Sequence, residues 1–294
     1  MNDRVGALLA SGWLAVWLAL LSATVGAGAW LAIGGLTGGR WLDAAAAPFA
    51  RLARLTPLAA AGGLGFVLAA PLIYPWIDPS AGEPLPSAKA AWLSAHAFGW
   101  RSAGVLVLWS LMGLLAARRP TPFAAALWLL AWAISVTLAA TDWLLARDPE
   151  FVSTDIGFFL ALVQLATALA AILVARAGDR AGGGPGVDGG QWSVPQRADL
   201  AALLMTCALA ITYLSSMQYL VSWSGNLPHA AAWYETRNTG AGDTIRLLAM
   251  MLGGVVPFAM LIARRWRRGS RTVRIAAASL CCGVLLHLAW MVAP

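Results

Sequence analysis

The residues best able to do chemistry lie in two short strings. In SSMQYLVSWSGNLPHAAAWYETR, residues 215 to 237, Ser215, Gln218 and Ser222 join Thr212 at offsets of 0, 3, 6 and 10. That spacing puts them on one side of a helix whose remaining positions are Leu214, Met217, Leu220 and Val221. Gly225, Asn226, Leu227 and Pro228 then break the helix ahead of the pair Trp233 and Tyr234. Lipid offers polar side chains no partners, so the stripe serves either as hydrogen-bonding contact between helices or as the wall of a polar path. Gln218 beside Tyr219 carries more polarity than small-hydroxyl contacts need.

The second string is TDWLLARDPEFVSTDIGFF, residues 141 to 159. Asp142 sits next to Trp143, Pro149 turns the chain, Ser153 or Thr154 fits an N-cap, and Asp155 falls in the favourable first turn. Upstream, Trp128, Trp132, Ser135 and Asp142 stand at offsets of 0, 4, 7 and 14, which makes Asp142 the end of an inward-looking stripe. A carboxylate there is costly unless paired, and Arg101 and Arg147 are the available cations. Two readings stand: a structural ion pair, or a proton acceptor at the mouth of a quinol or proton path. His287 is the only histidine well inside an apolar run; it is either a proton-relay member or a neutral imidazole donating to a backbone carbonyl.

The elements that must position these groups are membrane helices. With 60% hydrophobic and 11% charged residues over 294 positions, and a mean hydropathy of +0.72, the apolar surface exceeds what a water-soluble fold can hide. The expected fold is an all-α polytopic membrane protein forming a single membrane domain. Runs of roughly 20 apolar residues predict eight transmembrane helices. They fall near residues 6–36, 53–76, 97–117, 121–145, 152–176, 198–223, 244–264 and 273–292. The third and seventh are short, and Arg101 and Arg246 at their ends are placed to snorkel to the interface. The first run is too long for a removed signal peptide and reads as a retained span. Several of the 16 Trp lie mid-span, where they pack between helices.

Arginine placement sets the orientation. Loops after odd-numbered spans hold 14 cations, from Arg40 to Arg274, and the opposite side holds 6. The positive-inside rule then places the odd loops in the cytoplasm and both termini outside, in the periplasm of a bacterial inner membrane. The run RRWRRGSRTVR, residues 264 to 274, suits membrane lipid at about 1 kcal/mol per cation better than nucleic acid. Residues 177–197, glycine-rich over 177–191, read as a flexible cytoplasmic linker; no Lys-Ser or Lys-Thr follows the glycines, so they make no phosphate loop. Cys207, Cys281 and Cys282 show no iron-sulfur or haem-attachment spacing, so no redox cofactor is expected on the chain itself.

The two strings resemble a known family. DWLLARDPEFVSTDIG, residues 142 to 157, is similar to the Asp-Trp, acidic-Pro, Ser-Thr and Gly signature of NrfD-like membrane subunits of alternative complex III. QYLVSWSGNLPHAAAWY, residues 218 to 234, resembles the Gln-Tyr, Gly-Asn-Leu-Pro and Trp-Tyr signature of the second such subunit, ActF-like, with YPW at 74 to 76 in support. Ala146 and the pair His229-Ala230 depart from that pattern. The resemblance implies two four-helix bundles in an integral subunit of a respiratory quinol-oxidising complex. It also implies a bound quinone or quinol, and as partners a sister NrfD-like subunit, periplasmic iron-sulfur and multihaem cytochrome c subunits and a terminal oxidase. In that setting Asp142, Gln218, Tyr219, Ser215, His287 and Arg101 form the candidate proton or quinol path. A proton-coupled or small-solute transporter is the alternative, although the first half holds no counterpart to Gly-Asn-Leu-Pro.

Overall fold

The computed structural model describes residues 2–39, 41–77, 87–90, 92–118, 121–176, 192–225, 228–237 and 240–293. Asn226, Leu227 and residues 177–191 of the expected linker lie outside them. Among the described residues every regular element is helical. The α-helices are α1 (Asn2–Thr37), α2 (Trp41–Ala53), α3 (Thr56–Ala61), α4 (Gly63–Ile73), α5 (Ser87–Ala90), α6 (Ala95–Ala116) and α7 (Pro122–Trp143). They continue as α8 (Ile156–Arg176), α9 (Val194–Ser224), α10 (Pro228–Arg237), α11 (Ala241–Met250), α12 (Val256–Leu261), α13 (Arg264–Arg267) and α14 (Ser270–Val292). Seven segments are long and apolar enough to cross a membrane.

The second expected span, 53–76, is not one helix. Its place is taken by a bent pair, Ala45–Ala61 and Gly63–Ile73, turned by 46°. Gly62 and Gly63 sit at the bend, where a pair of glycines weakens the helix at little steric cost. Trp17 holds the bend from α1, donating its indole N–H to Ala59 O at 2.9 Å. The segment 192–197 is also more ordered than a linker: Ser193 and Gln196 form a reciprocal capping box and α9 begins at Val194.

The seventh span is interrupted differently. Met251–Val255 between α11 and α12 is a π-helical turn, in which Val256 N–H reaches back to Met251 O. Leu252 O therefore loses its usual donor, and the residue one place further on is Pro257, which has no N–H. Ser279 of α14 fills the vacancy, its hydroxyl donating to Leu252 O at 2.8 Å. The bulge carries Gly253 against Gly283 so closely that a Cβ on Gly283 would lie 2.0 Å from Gly253 N.

Helix α1 is the central strut, packing against α2, α3, α4, α6 and α7 and, across the molecule, against α8 and α14. Gly26 permits the α1–α8 crossing; a Cβ there would stand 1.8 Å from Gln164 O. Helix α8 in turn packs on α7, α9 and α14. Tryptophan N–H groups join neighbouring elements where an unpaired donor would be expensive. Trp30 donates to Leu165 O at 2.8 Å, Trp132 to Gln164 Oε1 at 2.6 Å, Trp109 to Ser135 Oγ at 2.8 Å and Trp128 to Met112 O at 3.0 Å. The mid-span tryptophans thus act as cross-helix donors as well as packing.

Candidate functional site

The stripe that ends at Asp142 faces inward throughout, with Trp128, Trp132, Ser135 and Asp142 all buried. Asp142 is fully engaged. Arg101 Nε meets one carboxylate oxygen at 2.7 Å and Arg101 Nη2 the other at 2.9 Å, a two-pronged pairing, and Trp92 Nε1 donates to the second oxygen at 2.9 Å. The guanidinium also lies 4.1 Å from the Trp92 ring centroid. Arg101 therefore turns inward to Asp142 rather than snorkelling outward. Arg147, the other available cation, goes to Ser11 Oγ at 3.2 Å and Ile73 O at 3.4 Å. Of the two readings of Asp142, the geometry favours the ion pair.

Trp143 anchors an aromatic core beside it. Its indole donates to Ser102 Oγ at 3.0 Å, and its backbone carbonyl accepts from Tyr74 OH at 2.9 Å. Trp76 donates to Ala146 O at 2.6 Å, so the YPW residues grip the Asp-Trp string directly. Lys89 donates to Pro149 O, fixing the turn from outside.

The two strings meet through the turn after Pro149. Phe151 stacks on Trp233 at 4.3 Å between centroids, and Arg237 lies 4.2 Å from the other residue of that contact, the Trp233 ring, while approaching Asp148 at 3.9 Å. Burial lowers the Arg237 guanidinium from its ordinary value to about 10, with Arg147 pushing the same way and Asp148 opposing. It remains a cation at neutral pH. Ser153 contacts Asp155 Oδ1 at 2.6 Å and the Gln218 side-chain amide at 3.1 Å. One hydroxyl carries one proton, so Ser153 donates to Asp155 Oδ1 or to Gln218 Oε1, one at a time. Neither Ser153 nor Thr154 caps α8: Ser153 is spent on these contacts, Thr154 is exposed, and Asp155 O accepts from Phe159 N at the helix start. Gly157 lets α8 approach α7, since a Cβ there would lie 2.7 Å from Thr137 Oγ1.

Where the strings meet they enclose a cavity of about 250 Å³. Toward α10 it is lined by Ser153, Asp155, Gln218, Tyr219, Tyr234, Arg246 and Trp290, and toward the π-turn by Ser215, Phe159, Met250 and His287. A small extension of about 20 Å³, room for roughly one water, continues from Ser215 and His287 to Thr212, Gly253 and Gly254 at the π-turn. Arg246 stands 5.0 Å from the Tyr219 ring centroid. Burial holds the Tyr234 phenol above its ordinary range, with Asp155 adding to the rise.

The polar stripe of α9 divides in two. Thr212 and Ser222 bond back to their own helix, at Ala208 O and Gln218 O, both at 2.8 Å. Ser215 and Gln218 face the cavity. Among the described residues Ser215 Oγ, which is buried, has no hydrogen-bond partner, and Trp290 Nε1, on a residue only 4% exposed, has none either. Among the described residues His287 donates to no backbone carbonyl; its ring packs 4.9 Å from Phe159 and 5.7 Å from Trp290. The cavity is slightly under the ~300 Å³ usual for small-molecule sites and is apolar in its body with a few inward polar groups.

Gly225 ends α9 as its C-cap and Pro228 opens α10, the short helix that brings Trp233 and Tyr234 over the cavity. Asp142 and Arg101 do not line it. Phe151, Phe159 and Trp290 do, and only spacing in three dimensions reveals them. Among the described residues no three His, Cys, Asp or Glu side chains gather as metal ligands. Neither a family model nor a curated protein matches the chain.

Proposed function

We propose that the chain is an integral subunit of a respiratory quinol-oxidising complex of the alternative complex III type, and that its second-half cavity receives a quinol headgroup. The observation that carries this reading is a pair of buried polar atoms lining the cavity, Ser215 Oγ and Trp290 Nε1, that have no partner among the described residues, together with His287, whose imidazole has no hydrogen bond among them either. A buried donor without a partner costs about 1–3 kcal/mol, a cost that ligand oxygens reaching Ser215 or Trp290 would remove. Oxidation of a quinol releases two electrons and two protons. Iron-sulfur and haem centres of the proposed partner subunits would take up the electrons. His287 accepts a proton at the end toward the π-turn, while Ser153, Asp155 and Gln218 offer a route to the outer face.

The packing around α1 and α8 is compatible with spans 1–4 and 5–8 as two four-helix bundles. The placement in the bacterial inner membrane with both termini periplasmic, and the partners, namely a sister NrfD-like subunit, periplasmic iron-sulfur and multihaem cytochrome c subunits and a terminal oxidase, belong to the same proposal. A transporter is the weaker reading, because the helix breaks fall in span 2 and span 7 rather than at corresponding positions of the two halves. The test is purification of the tagged chain from native membranes, with quinol turnover measured per assembled complex. Co-purifying haem c and a turnover loss of about 10-fold or more in His287→Leu support the proposal; a chain that purifies alone from those membranes contradicts it.

A further inference from the structure

At the opposite end of the molecule, α9 and α13 frame a second concavity of about 580 Å³. One wall is the first turns of α9, presenting Val194, Pro195, Ala198 and Ala202. The other presents Arg264, Arg267 and Arg268. Arg197 braces the two walls by donating to Arg268 O at 3.1 Å. None of the three groove arginines meets a carboxylate within 4.0 Å among the described residues, and Arg267 Nε is buried without any hydrogen-bond partner. Asp199 lies in the same groove, and it too has no partner among the described residues.

Three cations and one anion held apart across a groove call for a ligand that carries both signs. We propose that this groove binds a membrane phospholipid with an ethanolamine headgroup. The phosphate sits among Arg264, Arg267 and Arg268, giving the Arg267 Nε–H its missing acceptor. The ammonium lies against Asp199. Guanidinium groups match phosphate oxygens in geometry and charge. The apolar α9 wall accounts for a lipid rather than a free anion, because glycerol and the upper acyl carbons gain from covering Val194, Pro195 and Ala202, whereas a hydrated ion does not. The groove also lies between the end of α12 and the start of α14, beside the run from Arg264 to Arg274, where two apolar spans end and lipid headgroups would meet them.

The test uses the full-length protein, purified in mild detergent, delipidated, and titrated with phosphatidylethanolamine, with phosphatidylglycerol or with inorganic phosphate, bound lipid being read by native mass spectrometry. Wild type should prefer phosphatidylethanolamine. Asp199→Asn should lose that preference while still binding phosphatidylglycerol, and Arg264→Gln with Arg267→Gln should weaken both lipids about 10-fold or more, the scale of a lost charge-assisted hydrogen bond. Equal binding of the two lipids by wild type, or an unchanged preference in Asp199→Asn, overturns the ethanolamine assignment. Displacement of bound lipid by millimolar inorganic phosphate, or full lipid retention in the arginine variant, overturns the lipid site itself. The Asp199→Asn side chain keeps its shape, so that arm does not depend on tolerance of the arginine changes.

Discussion

Asp142 and Gln218 carry different loads, and conservative variants separate them. Asp142→Asn leaves Arg101 facing a neutral amide in a partly buried site, an imbalance worth about 3 kcal/mol at the lower end of the range for broken buried pairs. The expected outcome is a lower thermal midpoint and lower yield, with quinol turnover per assembled complex little changed. Gln218→Leu removes polarity from the cavity without stranding a charge, so it should leave the thermal midpoint in place and slow turnover. A normal midpoint for Asp142→Asn would show that the ion pair contributes little. The sequence already held this pair as one of two options, since Arg101 was one of two cations within reach. It did not hold Trp92, which reaches Asp142 from 50 positions away. Trp290 was equally hidden, because a tryptophan near a span end reads as an interfacial anchor until the fold sets it beside His287 and Trp233. Tyr234 adds a pH signature. Burial raises its folded value above that of a free phenol, ~10, so below that pH both states are neutral and folding is unaffected. Above it the unfolded chain ionises first, and this residue's share of stability is lost as pH rises. Alkaline titration followed at the phenolate absorbance should show the Tyr234→Phe difference only well above pH 10.

At the level of whole helices, the interruption in the seventh span rests on complementary local chemistry. Leu252 O is satisfied by Ser279 because Pro257 has no N–H to offer. Ser279→Ala should therefore cost about 1–3 kcal/mol by leaving a buried carbonyl unpaired. Pro257→Ala restores an N–H at the position a π-turn uses, and so should recover part of that loss in the double variant. Thermal unfolding of the four proteins measures the coupling, and strict additivity would contradict the account. The same span shows what hydrophobic runs can and cannot convey. Long apolar segments such as α8 and α14 were visible within a few residues, because lipid demands length and composition. The break at Gly62 was not, since a glycine pair in an apolar run is compatible with a straight helix until Trp17 on α1 pulls on Ala59 O. The capping box at Ser193 and Gln196 was present in the letters but was overshadowed by the glycines before it.

For the molecule as a whole, the uneven arginine distribution makes a directional claim. After removal of Cys207, Cys281 and Cys282, a cysteine placed between Arg264 and Arg274 should react only from the cytoplasmic side, and one between α7 and α8 only from outside. Reversed labelling would move the phospholipid groove and the cavity to the other faces. That the two strings meet at all is a property of the entire fold. Phe151 and Trp233, or Ser153 and Gln218, touch because α8 and α9 pack side by side and α10 folds back over their outer ends. If this meeting point holds a quinol ring, as proposed, a photoreactive azidoquinone added to the native assembly should label α9 between Leu214 and Tyr219 and α14 between His287 and Met291, and excess quinol should suppress that label. Quinol-protected label confined to other subunits, with none on these two helices, would contradict the proposal.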